Sequence, residues 1–324
     1  MQLNFIRTVA GLALAAFVSA AAAQADYPNR PVTLVVPSAP GGGSDTIARL
    51  FAERLGRALK QNFIVDNKAG ANGVVGLDNV AHATPDGYKL LFSYAAAMVI
   101  NPSMIKKMPF DPLKDLIPIA QIASGGNLMA VNPKLPVKNL QEFVAYAKAH
   151  PGQLNYCSWG TGSGGHLTME SLKKQAGLDM THIPYKGSGP CAQDVMGGRV
   201  EAGWVDFSST VGLVSSGRLR AIATSGPSRV PQLPDVPTLT EAGYPFSSYT
   251  WYGLFAPAGT PQPIIDKLNA TVRGLLREPD MIRRMSDLNI TDLPQTTPQQ
   301  FAEIVRADMG KWGKLVRSLN LQMD

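Results

Sequence analysis

Val36-Pro37-Ser38-Ala39-Pro40-Gly41-Gly42-Gly43-Ser44-Asp45 and Ser158-Trp159-Gly160-Thr161-Gly162-Ser163-Gly164-Gly165-His166 are two versions of one arrangement. Each follows a short apolar run and opens a segment with helical spacing. Glycine lets a backbone turn tightly and lets another molecule come close to the main chain. The first N–H groups of a helix have no internal acceptor, and the helix dipole adds partial positive charge there. Such a start is a ready site for a carboxylate or phosphate. In open α/β sheets ligands lie at the carboxyl ends of strands, where both turns fall. One glycine turn is ordinary punctuation. Two of them, one in each half of the chain, point to two walls of one anion site.

Outward from the first turn, Pro31 to Val36 reads as a buried strand, rich in β-branched residues. Ile47, Leu50, Phe51, Leu55 and Leu59 then recur at helical spacing. Strands follow at Phe63 to Asp66 and at Tyr88 to Ser93, with a helix over Gly73 to Ala83 between them. The same grammar restarts around the second turn. Leu128 to Val131 and Leu154 to Ser158 read as strands, and Leu140 to Ala149 as an amphipathic helix. Met180 to Tyr185, Ala202 to Asp206, Leu219 to Thr224 and Trp251 to Ala256 read as further strands. Two helices close the chain, the last with Phe301, Ile304, Val305, Met309, Trp312 and Val316 on one stripe. Strand–helix alternation in two consecutive units predicts an α/β protein of two domains, each a mainly parallel sheet flanked by helices.

Residues 1–25 have a cationic Arg7, an apolar Ala-rich run and a small-x-small ending, Ala23-Gln24-Ala25. That pattern predicts a secretory signal peptide and a periplasmic protein. About 300 residues remain, enough for two domains. At 45% hydrophobic and 17% charged, the chain can build a sizeable core. The net charge of +6 suits an anionic ligand, yet no Lys/Arg stripe with interleaved aromatics points to nucleic acid. The four histidines, His82, His150, His166 and His182, show no metal-ligand spacing, and neither a metal nor a cofactor is expected. Cys157 and Cys191 either form one disulfide or stay as buried thiols; their Cα separation decides.

The second turn also spells G-x-G-x-x-G through Gly160, Gly162 and Gly165, with Asp179 as a ribose-binding acid. This dinucleotide reading defines the enzyme alternative, an NAD-type oxidoreductase. Against it stand the export signal and the lack of an acid/base pair. No G-x-S-x-G elbow and no Walker A sequence occurs.

At these turns the sequence resembles the Bug-type receptors of tripartite tricarboxylate transporters. The likeness continues through Gly73-Val74-Val75-Gly76-Leu77-Asp78, Pro85-Asp86-Gly87-Tyr88 and Ile100-Asn101-Pro102. It extends over Pro184-Tyr185-Lys186-Gly187-Ser188-Gly189-Pro190, Leu233 to Thr238, Glu241-Ala242-Gly243-Tyr244 and Trp251 to Pro257. The resemblance implies a Venus-flytrap fold of type II-like build with two crossover strands. Residues 26–124 with 248–324 form domain 1, and residues 125–247 domain 2. It implies a monomeric, non-enzymatic receptor that delivers a mono- or dicarboxylate to membrane transporter subunits. Family members hold the carboxylate largely through main-chain amides and bridging waters.

Carried over, the first loop places Ser38, Ala39, Gly41, Gly42 and Asp45 at the site. The second places Thr161, Gly162, Ser163 and His166 there, although His166 also reads as a helix cap. Ser93 and Tyr94 end a strand facing the same cleft, and Asp206 ends another. Ser38 stands where many relatives carry an aromatic residue, and the loop through Met98 is unusually apolar. Both departures leave the far end of the ligand open, with a longer or partly apolar acid in view. A disulfide between Cys157 and Cys191 is expected to stiffen one wall. A sensor kinase as the membrane partner is the alternative within the same fold.

Overall fold

Val32–Val36 (β1) carries five β-branched or aliphatic side chains of which only Thr33 is not buried, so both faces of this strand are packed. The computed structural model describes residues 27–321 apart from Gly42, residues 247–249, Asn289 and Thr291. The expected signal peptide and Gly42 therefore lie outside the described residues. After β1 come α1 (Gly43–Leu59), β2 (Phe63–Asn67), α2 (Val74–Ala81) and β3 (Lys89–Tyr94). The short helices α3 (Asn101–Met104) and α4 (Pro112–Asp115) lead into β4 (Leu116–Gly125).

Then follow β5 (Asn127–Val131), α5 (Leu140–Ala149), β6 (Leu154–Ser158), α6 (Gly164–Ala176) and β7 (Met180–Pro184). Next are α7 (Ser188–Gly197), β8 (Ala202–Asp206), α8 (Phe207–Ser215) and β9 (Arg220–Thr224). The chain ends with β10 (Thr250–Pro257), α9 (Gln262–Leu275), α10 (Pro279–Asp287) and α11 (Pro298–Ser318).

The strands form two sheets of one plan, β2-β1-β3-β10-β4 and β7-β6-β8-β5-β9. In the first, β1 runs parallel to β2 and β3, and β10 is inserted antiparallel between β3 and β4. In the second, β6 runs parallel to β7 and β8, and β5 is inserted antiparallel between β8 and β9. The odd strand in each sheet is the one that arrives from the other sheet. The chain crosses through Gly126 into β5 and returns in β10. This is the two-domain α/β fold expected, with mixed rather than purely parallel sheets.

Three elements differ from the sequence reading. β4 escapes detection because Pro118 and Gln121 interrupt its apolar run. An edge strand tolerates such residues, and β4 lies at the sheet's edge, paired with β10 and bridged at Ser124 to Asp292. Three helices rather than two follow β10, because Pro279 at the start of α10 cannot continue α9. The segment Ala96–Ile100 is a π-helical turn whose residues 97 to 100 are buried.

One apolar cluster lies between the first sheet and α1, α9 and α10, around Leu34, Phe51, Phe92 and Leu268. A second covers the outer face of the second sheet around Val205 and Val195, and includes Cys157 and Cys191. These cysteines are disulfide-bonded, with a Cα separation of 5.7 Å. The bridge ties β6 to α7 against Gly203, where an added Cβ would lie 2.9 Å from both sulfurs. The largest cluster runs through both sheets, from Val35 and Met98 to Met129 and Trp204. Helix α11 helps to join them: Phe301, Val305, Trp312 and Val316 form its buried stripe. Lys174 of α6 donates to the Ser318 carbonyl of α11 at 2.7 Å. Met98 is sealed inside this core at 1% exposure and so cannot shape the far end of a ligand.

Candidate functional site

The first turn is held from below. Gly41 has a positive φ of 81°, a conformation natural to glycine. Its N–H donates to Asp45 Oδ2 at 2.8 Å. Asp45, 3% exposed, also accepts from Arg49 Nε at 3.0 Å and from Asn67 Nδ2 at 2.9 Å. Asn67, which ends β2, donates in addition to the Ser38 carbonyl at 3.1 Å. Burial opposes the charge on Asp45, but the bonds from Arg49, Gly41 and Asn67 outweigh it and hold the carboxyl below its ordinary range. Gly41 thus leaves open space beside its backbone, while its own N–H serves the turn. Ala39 is exposed at the tip, and the Ser38 hydroxyl is buried without a partner among the described residues.

The second turn uses the same spacing with different groups. Gly162, at φ 73°, donates its N–H to His166 Nδ1 at 3.1 Å. Nδ1 is therefore the unprotonated nitrogen, and the neutral ring carries its proton on Nε2. Ser163 caps α6 by accepting from the His166 N–H at 3.2 Å. His166 stacks on His182, with ring centroids 4.0 Å apart. Burial pushes both imidazoles down, His182 to about 3, with the neighbouring His166 as its next cause. The Ser158 hydroxyl donates to the Gly160 carbonyl at 3.0 Å and meets His182 Nε2 at 2.8 Å. Gly165 has a steric reason: a Cβ there would lie 2.5 Å from the Trp159 ring, which packs on the helix start. Thr161 is exposed at the tip.

This geometry accounts for the G-x-G-x-x-G spacing through turn shape and the Trp159 contact. Asp179 precedes β7, so it lies at the amino edge of a strand parallel to β6. The turn lies at the carboxyl edge. The acid of the dinucleotide reading is therefore at the wrong end of the sheet.

Asp206 ends β8, pairs across the sheet with Asn127, and its N–H donates to Ser188 Oγ at 3.0 Å. The Asn127 amide nitrogen lies within 3.4 Å of where a Gly164 Cβ would stand, which links Asp206's strand to the second turn. Across the cleft, Tyr252 of β10 pairs with Tyr94 and stacks on Phe92. Its hydroxyl hydrogen-bonds Ser44 in α1, and its pKa is raised, first by burial and then by the Asp206 charge. Burial also raises the Tyr94 hydroxyl. Asp206 and Tyr252 line one cavity of about 670 Å³ beside the Gly125–Gly126 crossing. Ser93 is wholly buried in the sheet, and its hydroxyl has no partner among the described residues.

The structure thus gathers Ser38, Gly41 and Asp45 around Asn67, and Gly162, Ser163 and His166 around Ser158. It joins Asp206 to both groups through residues absent from the sequence-predicted set. Of these, Tyr252 and Ser188 fall in the stretches that carry the family likeness, and that was the signal available for them. Asn67 and Asn127 carry no local signature.

Two sheets connected by two crossings, with a helix start at the carboxyl edge of each, define a two-lobed solute-binding protein. The model of the tripartite tricarboxylate transporter family receptor matches residues 47–321, and the chain belongs to that family. Protein BugT of Bordetella pertussis is 33% identical over 326 residues, covering 100% of both chains. Among solved structures, R. palustris Rpa4515 with adipate superposes with a TM-score of 0.81 at 32% identity, over 91% of this chain and 99% of that one. MatC of Rhodopseudomonas palustris with bound malate gives 0.79 at 34% identity, over 90% and 100%. The family consists of periplasmic solute-binding receptors. Among the described residues, no helix is long and apolar enough to cross a membrane.

Proposed function

We propose that this protein captures a small organic carboxylate between its two lobes and presents it to the membrane subunits of a tripartite tricarboxylate-type transporter. The observation that carries the reading is the pair of pinned turns. Each has a glycine N–H bonded to a side chain four residues on, at the start of a helix on a sheet's carboxyl edge. The first N–H groups of α1 and α6 have no acceptor within their helices and so suit a carboxylate. Relatives that bind adipate and malate support the ligand class.

The lobes that close are residues 26–124 with 248–324, and 125–247. Ala39, Gly41 and Thr161 line the turns, and Asp206 with Tyr94 lies deeper. Residues 1–25 direct export to the periplasm and are removed there. The receptor acts as a monomer and performs no catalysis.

A thermal-shift screen of mono- and dicarboxylates tests the reading. A ligand at a hundred times its Kd stabilises by about 2.7 kcal/mol, a visible shift. No shift with any organic acid would sink it. Transport reconstituted from the membrane subunits, with and without this protein, tests the partner; equal uptake in both arms removes the transporter role.

A further inference from the structure

The cavity of about 670 Å³ is larger than a short acid needs, and lies within the range of ordinary small-molecule pockets, about 300–1,000 Å³. It begins where Tyr252 and Asp206 meet across the cleft, and Tyr252 is bonded to Ser44 at the first turn. Through that bond the cavity adjoins the first turn, so a carboxylate held there can direct its other end toward this space. Phe207, Val230 and Ile290 supply apolar lining.

Charge on the walls decides what that far end can be. Asp206 and Asp292 both line the cavity. The Asp206 charge is felt at the Tyr252 hydroxyl, and Asp292 accepts from the Ser124 hydroxyl. Arg229 is the cation among the lining residues. Its Nε already meets both Glu241 oxygens, at 2.9 and 3.2 Å, and its Nη1 donates to the Pro234 carbonyl at 2.9 Å. Glu241, in turn, accepts from the Thr238 N–H at 2.9 Å. A second carboxylate entering here meets two acids and a guanidinium whose charge is matched. Desolvating an anion without a partner is costly, whereas an apolar chain or ring gains by filling apolar space.

We infer that the ligand is a monocarboxylate with an uncharged, apolar tail, held in the cavity beside the crossing with its tail against Phe207, Val230 and Ile290. The inference rests on the receptor reading above and names its substrate class. Hexanoate and adipate are matched probes, since both have six carbons and differ by one carboxylate. Calorimetric titration of the full mature protein at neutral pH should give hexanoate a Kd at least tenfold below that of adipate. Val230→Trp should lower the ratio of hexanoate to acetate affinity about tenfold, with the unliganded melting temperature as the fold control. Glu241→Gln, which releases Arg229, should move preference toward adipate.

Adipate binding more tightly than hexanoate to the wild type overturns the tail assignment while leaving the carboxylate receptor intact. An unchanged ratio in Val230→Trp does the same. If no carboxylate binds at all, the receptor reading itself fails.

Discussion

The two glycine turns meet one requirement with different chemistry. Each must hold its backbone still so that a helix start faces the cleft, and each does so through a bond from residue i to the side chain at i+4. In the first lobe that partner is Asp45, an ionised carboxylate with three donors. In the second it is His166, a neutral imidazole stacked on His182. Bonds to a charged group are about twice as strong as neutral ones. The second lobe adds what the first lacks among its described residues: a disulfide directly behind the turn, from Cys157 next to Ser158. Charge secures one wall, and covalent bonding with ring stacking secures the other. Asp45 brings a negative charge near the proposed anion site, but Arg49 and the start of α1 offset it.

Removing the disulfide tests this contrast most severely. Cys157→Ser with Cys191→Ser opens a bridge spanning 34 residues and should cost about 3–4 kcal/mol by loop-closure entropy. Chemical denaturation followed by tryptophan fluorescence reads it, and a loss under about 1 kcal/mol would mean that the staple is dispensable. Asp45→Ala leaves the Gly41 and Asn67 donors without their acceptor. About 2–3 kcal/mol of stability and at least tenfold in carboxylate affinity should go. Asp45→Asn, which keeps a carbonyl acceptor, should recover part of both, and calorimetry compares the pair.

His166→Ala removes a neutral acceptor and one stacked ring, for about 1–2 kcal/mol. If it proves costlier than Asp45→Ala in the same denaturation assay, the ranking of charge over neutral bonding is wrong. The smallest effect is in pH. His182 titrates lower when folded than unfolded, so the unfolded chain binds more protons between pH 6.5 and about 3. Stability from this group is complete above pH 6.5 and declines on acidification, by about 2 kcal/mol at pH 5 for the full shift and about 1 kcal/mol once solvent screening of the part-exposed ring is allowed for. Glu170, Lys173 and His166 face the same rings and enter the same titration. Asp45 is depressed in the same sense but in a more acid window: its contribution is intact above its unfolded value and fades as pH falls toward its lower folded value. A melting curve flat from pH 7 to 5, or one unchanged by His182→Gln, would refute the assignment of acid sensitivity to the second lobe.

Much of this protein was readable residue by residue. β1, α1, β6 and α6 follow from local pattern, because β-branched runs, 3.6-residue spacing and glycine turns act over short distances. The edge strand β4 was hidden by Pro118. The roles of Asp45 and His166 were half visible: their position in a first helical turn was plain, but not that each turns back onto its glycine. Ser93 looked accessible at a strand end, and packing buries it. Met98 looked like a wall of the site and belongs to the core.

The sequence by itself determined the alternation of strands and helices, the two glycine turns that open helices and the family. Each depends on neighbours along the chain or on motifs in fixed order. Tertiary structure alone decided that Cys157 meets Cys191 and that Asp179 lies on the far edge from its turn. It also decided that β10 returns to set Tyr252 beside Ser44 and opposite Asp206. Those outcomes depend on how strands far apart in sequence order themselves in a sheet, and no local pattern carries that information.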